Sequence, residues 1–131
     1  MTEKNYAQEL MGYLTDNETF KTEIPGPGKS FDLLHWAVSQ PGACSPKAKE
    51  LMALAIAITM RCEGCMVQHT AGCIMAGASR DEVKEAISVA LEMSGGPSFV
   101  FGAKVIEIFD QLSASADFHA LMAKVKGEAA D

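Results

Sequence analysis

Four side chains capable of acid–base or thiol chemistry lie in or beside the most apolar part of the sequence: Glu50, Cys62, Cys65 and His69. Such groups are unfavourable among apolar residues unless they are paired or used. On one helix, Cys65 and His69 lie one turn apart on the same face, so the imidazole can contact the thiol. Cys62 falls at or just before the first turn, where unpaired amide hydrogens and the helix dipole favour a thiolate. Both cysteines are therefore candidate nucleophiles.

The C-x-x-C spacing of Cys62 and Cys65 indicates a redox pair. Across the start of a helix, this spacing lets the two sulfurs approach disulfide distance, so reversible oxidation is geometrically easy. The chain has four cysteines among 131 residues, too few for a disulfide-dense secreted module. In a reducing cytosol, a close cysteine pair indicates catalysis or metal binding.

Metal binding is the main alternative, because Cys62, Cys65, His69 and Cys73 would form one stripe on a continuous helix. Zinc and iron–sulfur clusters use these ligand types. Along a straight helix, however, the four residues extend over about 16 Å, which is too far for one tetrahedral ion unless a partner chain completes it. We therefore predict no metal and no bound cofactor. A plainer alternative is that the paired cysteines are small core residues. We expect structural roles for Cys73, on a helix face of small residues, and for Cys44, in the loop before Ser45.

The elements that must position these residues are helices. Apolar residues recur at spacings of three and four after Ser30, and no run alternates apolar with polar residues, so we predict an all-α bundle of six to seven helices. Capping signals at Ser45 and at Ser79 with Glu82, and glycine at position 77, mark helix ends. The predicted helices cover residues 3–14, 30–39, 46–60, 62–76, 80–93, 97–112 and 116–125.

The chain is predicted as one structural domain overall, with residues 1–28 as an N-terminal helix and loop and residues 29–131 as the main helical domain. Two prolines and two glycines predict a loop at residues 24–28. The third helix, apolar nearly all round from residue 51 to 60, is expected to be central and buried. The second helix is expected to bury Phe31, Leu34 and Val38.

Charge and hydropathy exclude several classes of partner. The formal charge is −6, with 11 basic and 17 acidic residues, and the basic side chains form no stripe, so we expect no nucleic-acid partner. The longest apolar stretch is about half of what a membrane-spanning helix needs, and the N-terminal residues resemble no secretory signal. We expect a soluble, cytoplasmic protein with no membrane partner.

Glu50, an interval of eleven residues, and then Cys62-x-x-Cys65-x-x-x-His69 resemble the signature of the alkylhydroperoxidase D-like, or carboxymuconolactone decarboxylase, superfamily. The resemblance extends over residues 31–112. It implies that Cys65 is the peroxidatic cysteine, which attacks a hydroperoxide and becomes a sulfenic acid, and that Cys62 is the resolving partner. It implies that Glu50 and His69 deprotonate Cys65 and relay protons.

The resemblance also implies partners. An external dithiol, such as a lipoyl or thioredoxin-like reductant, would reduce the disulfide, and the chain would form homo-oligomers, commonly trimers or hexamers, with the cysteine site near a subunit boundary. The chain departs from the pattern at Gly64, where peroxidase members carry a histidine immediately before the second cysteine. Members of the decarboxylase branch generally lack the cysteine pair.

These residues predict a thiol–disulfide oxidoreductase that reduces hydroperoxides. One alternative is lactone or carboxylate chemistry of the decarboxylase kind, in which Glu50 and His69 act as acid and base without a thiol. The other is a non-enzymatic redox sensor, in which oxidation of the cysteine pair alters subunit contacts.

Overall fold

The computed structural model describes residues 3–130, and the side chains of residues 3–127. Within that part of the chain every regular element is an α-helix, which confirms the predicted all-α class. The first two residues and residue 131, which the domain prediction includes, lie outside the described residues. The helices are α1 (Tyr6–Glu23), α2 (Pro25–Ser39), α3 (Pro46–Thr59), α4 (Glu63–Met75), α5 (Arg80–Ser94), α6 (Pro97–Ala114) and α7 (Ala116–Ala130).

The predicted capping signals of α3 and α5 are confirmed. The Ala48 amide donates to the Ser45 hydroxyl at 3.0 Å, and Pro46 takes the first helical position, where its missing N–H leaves no helical acceptor unpaired. At α5, the Glu82 amide donates to the Ser79 hydroxyl and the Ser79 amide donates to the Glu82 carboxylate, both at 3.0 Å. This is the predicted capping box, and it satisfies two amides that the helix itself cannot.

The predicted loop at residues 24–28 is wrong, because α2 begins at Pro25 and only Ile24 separates it from α1. Pro25 and Pro27 both fall in the first turn of α2, where backbone N–H groups have no acceptor within the helix, so their missing donors cost little. The Gly28 amide already makes the helical hydrogen bond to the Ile24 carbonyl at 2.8 Å. The first helix also runs further than predicted, to Glu23.

The core lies among α3, α4, α5 and α6, with α1 packed across α4 and α6. Its fully buried members include Leu54, Ile58, Met66, Val83 and Ile108. This core fixes α3 against α4, the two helices that carry the predicted site residues. No described helix is long and apolar enough to cross a membrane.

The expected burial of α3 is correct for one side of the helix, and the expected burial of α2 is not observed. Leu54, Ala57 and Ile58 are buried, whereas Met60 at the end of this helix is 73% exposed. In α2, the expected burial of three apolar side chains is wrong for the single chain: Phe31, Leu34 and Val38 are 66%, 58% and 54% exposed. The spacing of apolar residues predicted the apolar face of α2 but could not show what covers that face.

Candidate redox site

A tight turn between α3 and α4 presents Cys62 at the start of α4. Arg61 takes a left-handed conformation with φ 59°, which lets the chain reverse, and the Cys62 amide donates to the Ala57 carbonyl at 3.1 Å. Cys62 is the N-cap residue of α4, and its sulfur accepts the Cys65 amide at 3.3 Å. The two cysteines form a disulfide, with their Cα atoms 5.2 Å apart. As the N-cap residue, Cys62 has its sulfur at the positive end of the α4 dipole.

Glu50 of α3 and His69 of α4 form a hydrogen-bonded pair. His69 Nδ1 lies 2.8 Å from Glu50 Oε2, and the two side chains are 31% and 20% exposed. When the carboxylate is ionised, the Nδ1–H group donates a hydrogen bond to Glu50 Oε2, which leaves Nε2 as the ring nitrogen that can accept a proton. The pair can thus accept a proton at Nε2 while Glu50 holds the imidazole in one tautomer and orientation.

Gly72 makes room for the Glu50 carboxylate against α4. A Cβ atom at position 72 would lie 2.6 Å from Glu50 Cδ, closer than real Cβ contacts allow. Because Gly72 follows His69 by three residues, it lies beside the imidazole on the same face of the helix. The absence of a side chain at position 72 is therefore part of the geometry that joins Glu50 to His69.

The four predicted site residues meet as two pairs at the start of α4, with Glu50 reaching across from α3. Cys62 forms a disulfide with Cys65, and Glu50 is hydrogen-bonded to His69. Cys65 and His69 lie one helical turn apart, as their spacing predicts. Among the described residues, no hydrogen bond joins the His69 ring to the Cys65 sulfur in this oxidised form. Their catalytic roles stay predictions.

The remaining cysteines are poorly suited to this chemistry. Cys73 is fully buried, and burial, with the negative charges of Glu50 and Glu82, raises the pKa of its thiol to about 12. It therefore stays a neutral thiol and a poor nucleophile at neutral pH. Cys44 is exposed in the loop before α3. Within residues 3–127, no group of three or more His, Cys, Asp or Glu side chains is arranged to hold a metal ion.

The N-terminal segment covers the side of α4 next to the disulfide, which sequence reasoning missed. The Tyr13 ring of α1 lies against Gly64, between the two cysteines, and Asn17 Nδ2 donates to Gln68 Oε1 at 3.0 Å. Lys4 Nζ and Lys104 Nζ lie 2.9 and 3.1 Å from Glu63 Oε1. The one signal was Gly64 itself, because a glycine in a helical first turn often marks a close approach.

Comparisons with known proteins agree with this architecture. The model of the carboxymuconolactone decarboxylase family matches residues 25–107. An uncharacterized protein of Cupriavidus necator is 31% identical over 111 residues, which cover 76% of this chain and 98% of that protein. An uncharacterized protein encoded in the cox locus of Paracoccus denitrificans is 31% identical over 94 residues, covering 69% of this chain and 85% of that protein.

A solved structure is also similar, with a TM-score of 0.77 and 30% identity. It is the crystal structure of the apo form of a carboxymuconolactone decarboxylase family protein from Legionella pneumophila, and the match covers 82% of this chain and 97% of that one. Helix α1 ends at Glu23, before the first residue that the family model matches.

Proposed function

The chain belongs to the carboxymuconolactone decarboxylase family, and on that premise we propose that this member is a cytoplasmic thiol–disulfide oxidoreductase that reduces hydroperoxides. One observation carries the proposal: the Cys62–Cys65 disulfide lies at the start of α4, one helical turn from the hydrogen-bonded Glu50–His69 pair. A redox-active thiol pair beside an oriented imidazole is the arrangement that activates a cysteine nucleophile.

In the first step Cys65 is oxidised. His69 Nε2 accepts the thiol proton, and the Cys65 thiolate attacks the terminal oxygen of the hydroperoxide. The S–O bond forms as the O–O bond breaks, and the departing alkoxide takes the proton from the imidazolium to become an alcohol. Glu50, bonded to Nδ1, stabilises the imidazolium between these two transfers.

In the second step the disulfide forms and is then reduced. The Cys62 sulfur attacks the Cys65 sulfenic acid, an S–S bond forms, and hydroxide leaves with the Cys62 thiol proton as water. The position of Cys62 at the N-terminus of α4 favours its thiolate. An external dithiol then reduces the pair by two thiol–disulfide exchanges and is itself oxidised to a disulfide.

The test is peroxide consumption with dihydrolipoamide as the reductant, in a Cys44→Ser background that removes the exposed thiol. Cys65→Ser is expected to abolish consumption, whereas Cys62→Ser, assayed without the reductant, should undergo a single oxidation at Cys65. In Cys62→Ser, hydrogen peroxide should give a sulfenic acid on Cys65 that dimedone traps, identified by peptide mass spectrometry. Glu50→Gln and His69→Asn should lower kcat/KM by about 10²-fold.

Cys44→Ser alone is the matched control, because Cys44 lies outside the site, and it should retain the parent rate. Full activity in Cys65→Ser would contradict the proposal. A dimedone adduct on Cys62 in Cys65→Ser would reverse the two cysteine roles. Peroxide turnover near zero with a reversible disulfide would instead favour the redox sensor, and an activity that survives alkylation of both cysteines would favour decarboxylase-type chemistry.

We also propose that the protein acts as a homo-oligomer whose interface includes α2. Within the chain, Gly28 is the one buried residue of this helix. Its one acidic residue, Asp32, forms an ion pair with Lys21 of α1, with Nζ and Oδ1 2.7 Å apart. Five large apolar side chains of α2 are more than half exposed, namely Phe31, Leu33, Leu34, Trp36 and Val38. A helix of this length gains little stability without packing.

A second copy of the chain is the occupant that we favour for this surface. An identical subunit is present wherever the chain is, so no second protein is needed to cover this surface. Exposed apolar areas of this kind mark protein interfaces in soluble proteins.

A further inference from the structure

Tyr13 of α1 packs against Gly64, the residue that precedes Cys65. A Cβ atom at Gly64 would lie 2.9 Å from Tyr13 Cε1, 3.1 Å from Cδ1 and 3.2 Å from Cζ. The edge of the ring therefore rests directly on the backbone of the residue between Glu63 and Cys65. Any side chain at position 64 would push the ring away.

Tyr13 and His69 lie on opposite sides of Cys65. At about 100° per residue, Gly64 and Gln68 project to one side of Cys65 on α4, and His69 to the other. The Tyr13 ring covers the first side, and the Glu50–His69 pair occupies the second. The Tyr13 ring and the imidazole therefore flank the position of Cys65 on α4.

Two polar contacts hold the N-terminal segment in this position. Asn17 is bonded to Gln68 one turn beyond the Tyr13–Gly64 contact on both helices, and Lys4 is bonded to Glu63 directly beside it. Tyr13 itself is half-buried, with its ring packed against the core. The ring is thus a fixed part of the site's surroundings, supplied by a helix that precedes the family-matched residues.

We propose that Tyr13 is a specificity-determining residue that limits the size of the ligand reaching Cys65, so that small hydroperoxides react and bulky ones are excluded. That the ligand is a hydroperoxide rests on the proposed function; that the ring restricts access to the Cys65 sulfur does not. The two statements can therefore be tested separately, since thiol alkylation needs no peroxidase activity.

The first measurement is the alkylation of Cys65 in a Cys44→Ser, Cys62→Ser background, where Cys73 is buried and protonated. Rate constants are measured with iodoacetamide, which is small, and with monobromobimane, which is bulky. Tyr13→Ala is expected to raise the bimane-to-iodoacetamide ratio about tenfold, the scale on which a pocket distinguishes ligand size. Tyr13→Phe should keep the parent ratio, because it keeps the ring.

Two further variants separate the ring from the stability of its helix. Tyr13→Leu keeps an apolar side chain on Gly64 and should give an intermediate ratio even if Tyr13→Ala fails to fold. Asn17→Ala breaks a bond between α1 and α4 but leaves the ring, so its ratio should match the parent. An unchanged ratio in both Tyr13→Ala and Tyr13→Leu, or an equal rise in Asn17→Ala, would overturn the proposal.

The second measurement compares hydrogen peroxide with cumene hydroperoxide as oxidants of Cys65, in the same variants with Cys62 restored. Tyr13→Ala should raise kcat/KM for cumene hydroperoxide relative to hydrogen peroxide by a similar factor. If the alkylation ratio rises but no variant consumes either peroxide, Tyr13 restricts access to Cys65 and the proposed function fails. If both peroxides are consumed but neither ratio changes, the proposed function stands and the role of Tyr13 fails.

Discussion

At the scale of single residues, two positions without side chains shape the site as much as the reactive groups do. Gly64 admits the Tyr13 ring from α1, and Gly72 admits the Glu50 carboxylate from α3. Both lie on α4, on either side of the turn that carries Cys65 and His69. A side chain at either glycine would move a neighbour that belongs to another helix, so each contact ties one helix to the site.

Gly72→Ala is expected to separate Glu50 from His69. The new Cβ would lie 2.6 Å from Glu50 Cδ, so the carboxylate must move and its bond to Nδ1 is lost. We expect kcat/KM for peroxide to fall by about 10²-fold, with little change in stability, because the atoms that must move are the end of the flexible Glu50 side chain. In the NMR spectrum, the protected Nδ1 proton of His69 should disappear.

Gly12→Ala is the matched control, because a Cβ atom at Gly12 in α1 meets nothing within 4 Å. There, alanine should stabilise the helix by up to about 1 kcal/mol and leave peroxide consumption unchanged. A Gly72→Ala protein that keeps both the Nδ1 signal and the parent rate would show that the Glu50–His69 bond does not depend on this close approach.

The pairing of the candidate site residues could be predicted from the sequence, whereas the residues that pack around them could not. Spacing alone placed Cys65 and His69 on one face of a helix, because helical periodicity is local. The contacts of Tyr13 with Gly64 and of Glu50 with Gly72 join residues 51 and 22 positions apart, and they depend on how helices cross. The identity of a single residue does not reveal how two helices cross.

At the scale of the elements, the N-terminal segment is joined to two core helices through one carboxylate. Glu63, in the first turn of α4, accepts hydrogen bonds from Lys4, which precedes α1, and from Lys104 of α6. These two bonds hold the pKa of the Glu63 carboxyl below its usual range. The negative charge also suits the N-terminus of α4.

Glu63→Gln is expected to destabilise the protein only where Glu63 would be ionised. Because its folded-state pKa is depressed, the ionised carboxylate stabilises the fold fully above about pH 4.5. This stabilisation is lost as the pH falls through the lowered value. Urea unfolding should show Glu63→Gln weaker at pH 7 by at most about 1 kcal/mol, since the group is partly exposed, and the difference should vanish in acid.

Glu85→Gln on α5 is the control, since the Glu85 carboxylate makes no ion pair among the described side chains. Its stability should follow the parent at every pH. A Glu63→Gln deficit that persists unchanged in strongly acidic solution would mean that the side chain stabilises the fold through packing and not through its charge.

The errors in predicting the elements have physical causes. The Pro–Gly composition at residues 24–28 was interpreted as a loop, but prolines in a first helical turn remove only donors that lack helical acceptors. Helix α1 was predicted too short because most of its surface is polar and periodicity therefore marks its end poorly. By contrast, capping residues act locally, which is why Ser45 and Ser79 predicted their helix starts correctly.

At the scale of the whole molecule, the apolar surface of α2 is the main feature that a single chain leaves unexplained. Further exposed apolar residues lie on α3, α5 and α6, including Ile56, Met93 and Phe99. A sequence pattern identifies which side of a helix is apolar but cannot say whether the same chain or another one covers it. This is why burial on α2 was predicted wrongly while the all-α class was predicted correctly.

Leu34→Glu is expected to shift the protein from an oligomer toward the monomer. A carboxylate placed in a buried apolar contact is strongly unfavourable without a partner. Size-exclusion chromatography with light scattering measures the mass, and Trp36, the one tryptophan of the chain, should change from the fluorescence of a buried indole to that of a solvated one. Both signals should change together.

Val125→Glu provides the comparison, because Val125 is an exposed apolar residue on α7 and not on α2. It should leave the mass and the Trp36 emission unchanged. A wild-type protein that is monomeric at micromolar concentration, with a solvated Trp36, would contradict the proposed oligomer and leave the α2 surface to a different partner.

Because of the tight left-handed turn at Arg61, the number of residues between Glu50 and Cys62 determines which way the Glu50 side chain points. Because Met60 and Arg61 alone join α3 to α4 before the Cys62 cap, every residue counted back along α3 sets a definite angle around its axis. One inserted residue would rotate Glu50 by about 100° and turn its carboxylate away from His69. We therefore expect related chains with ten or twelve residues between the equivalents of Glu50 and Cys62 to lack this acid–base pair, whatever their overall sequence identity.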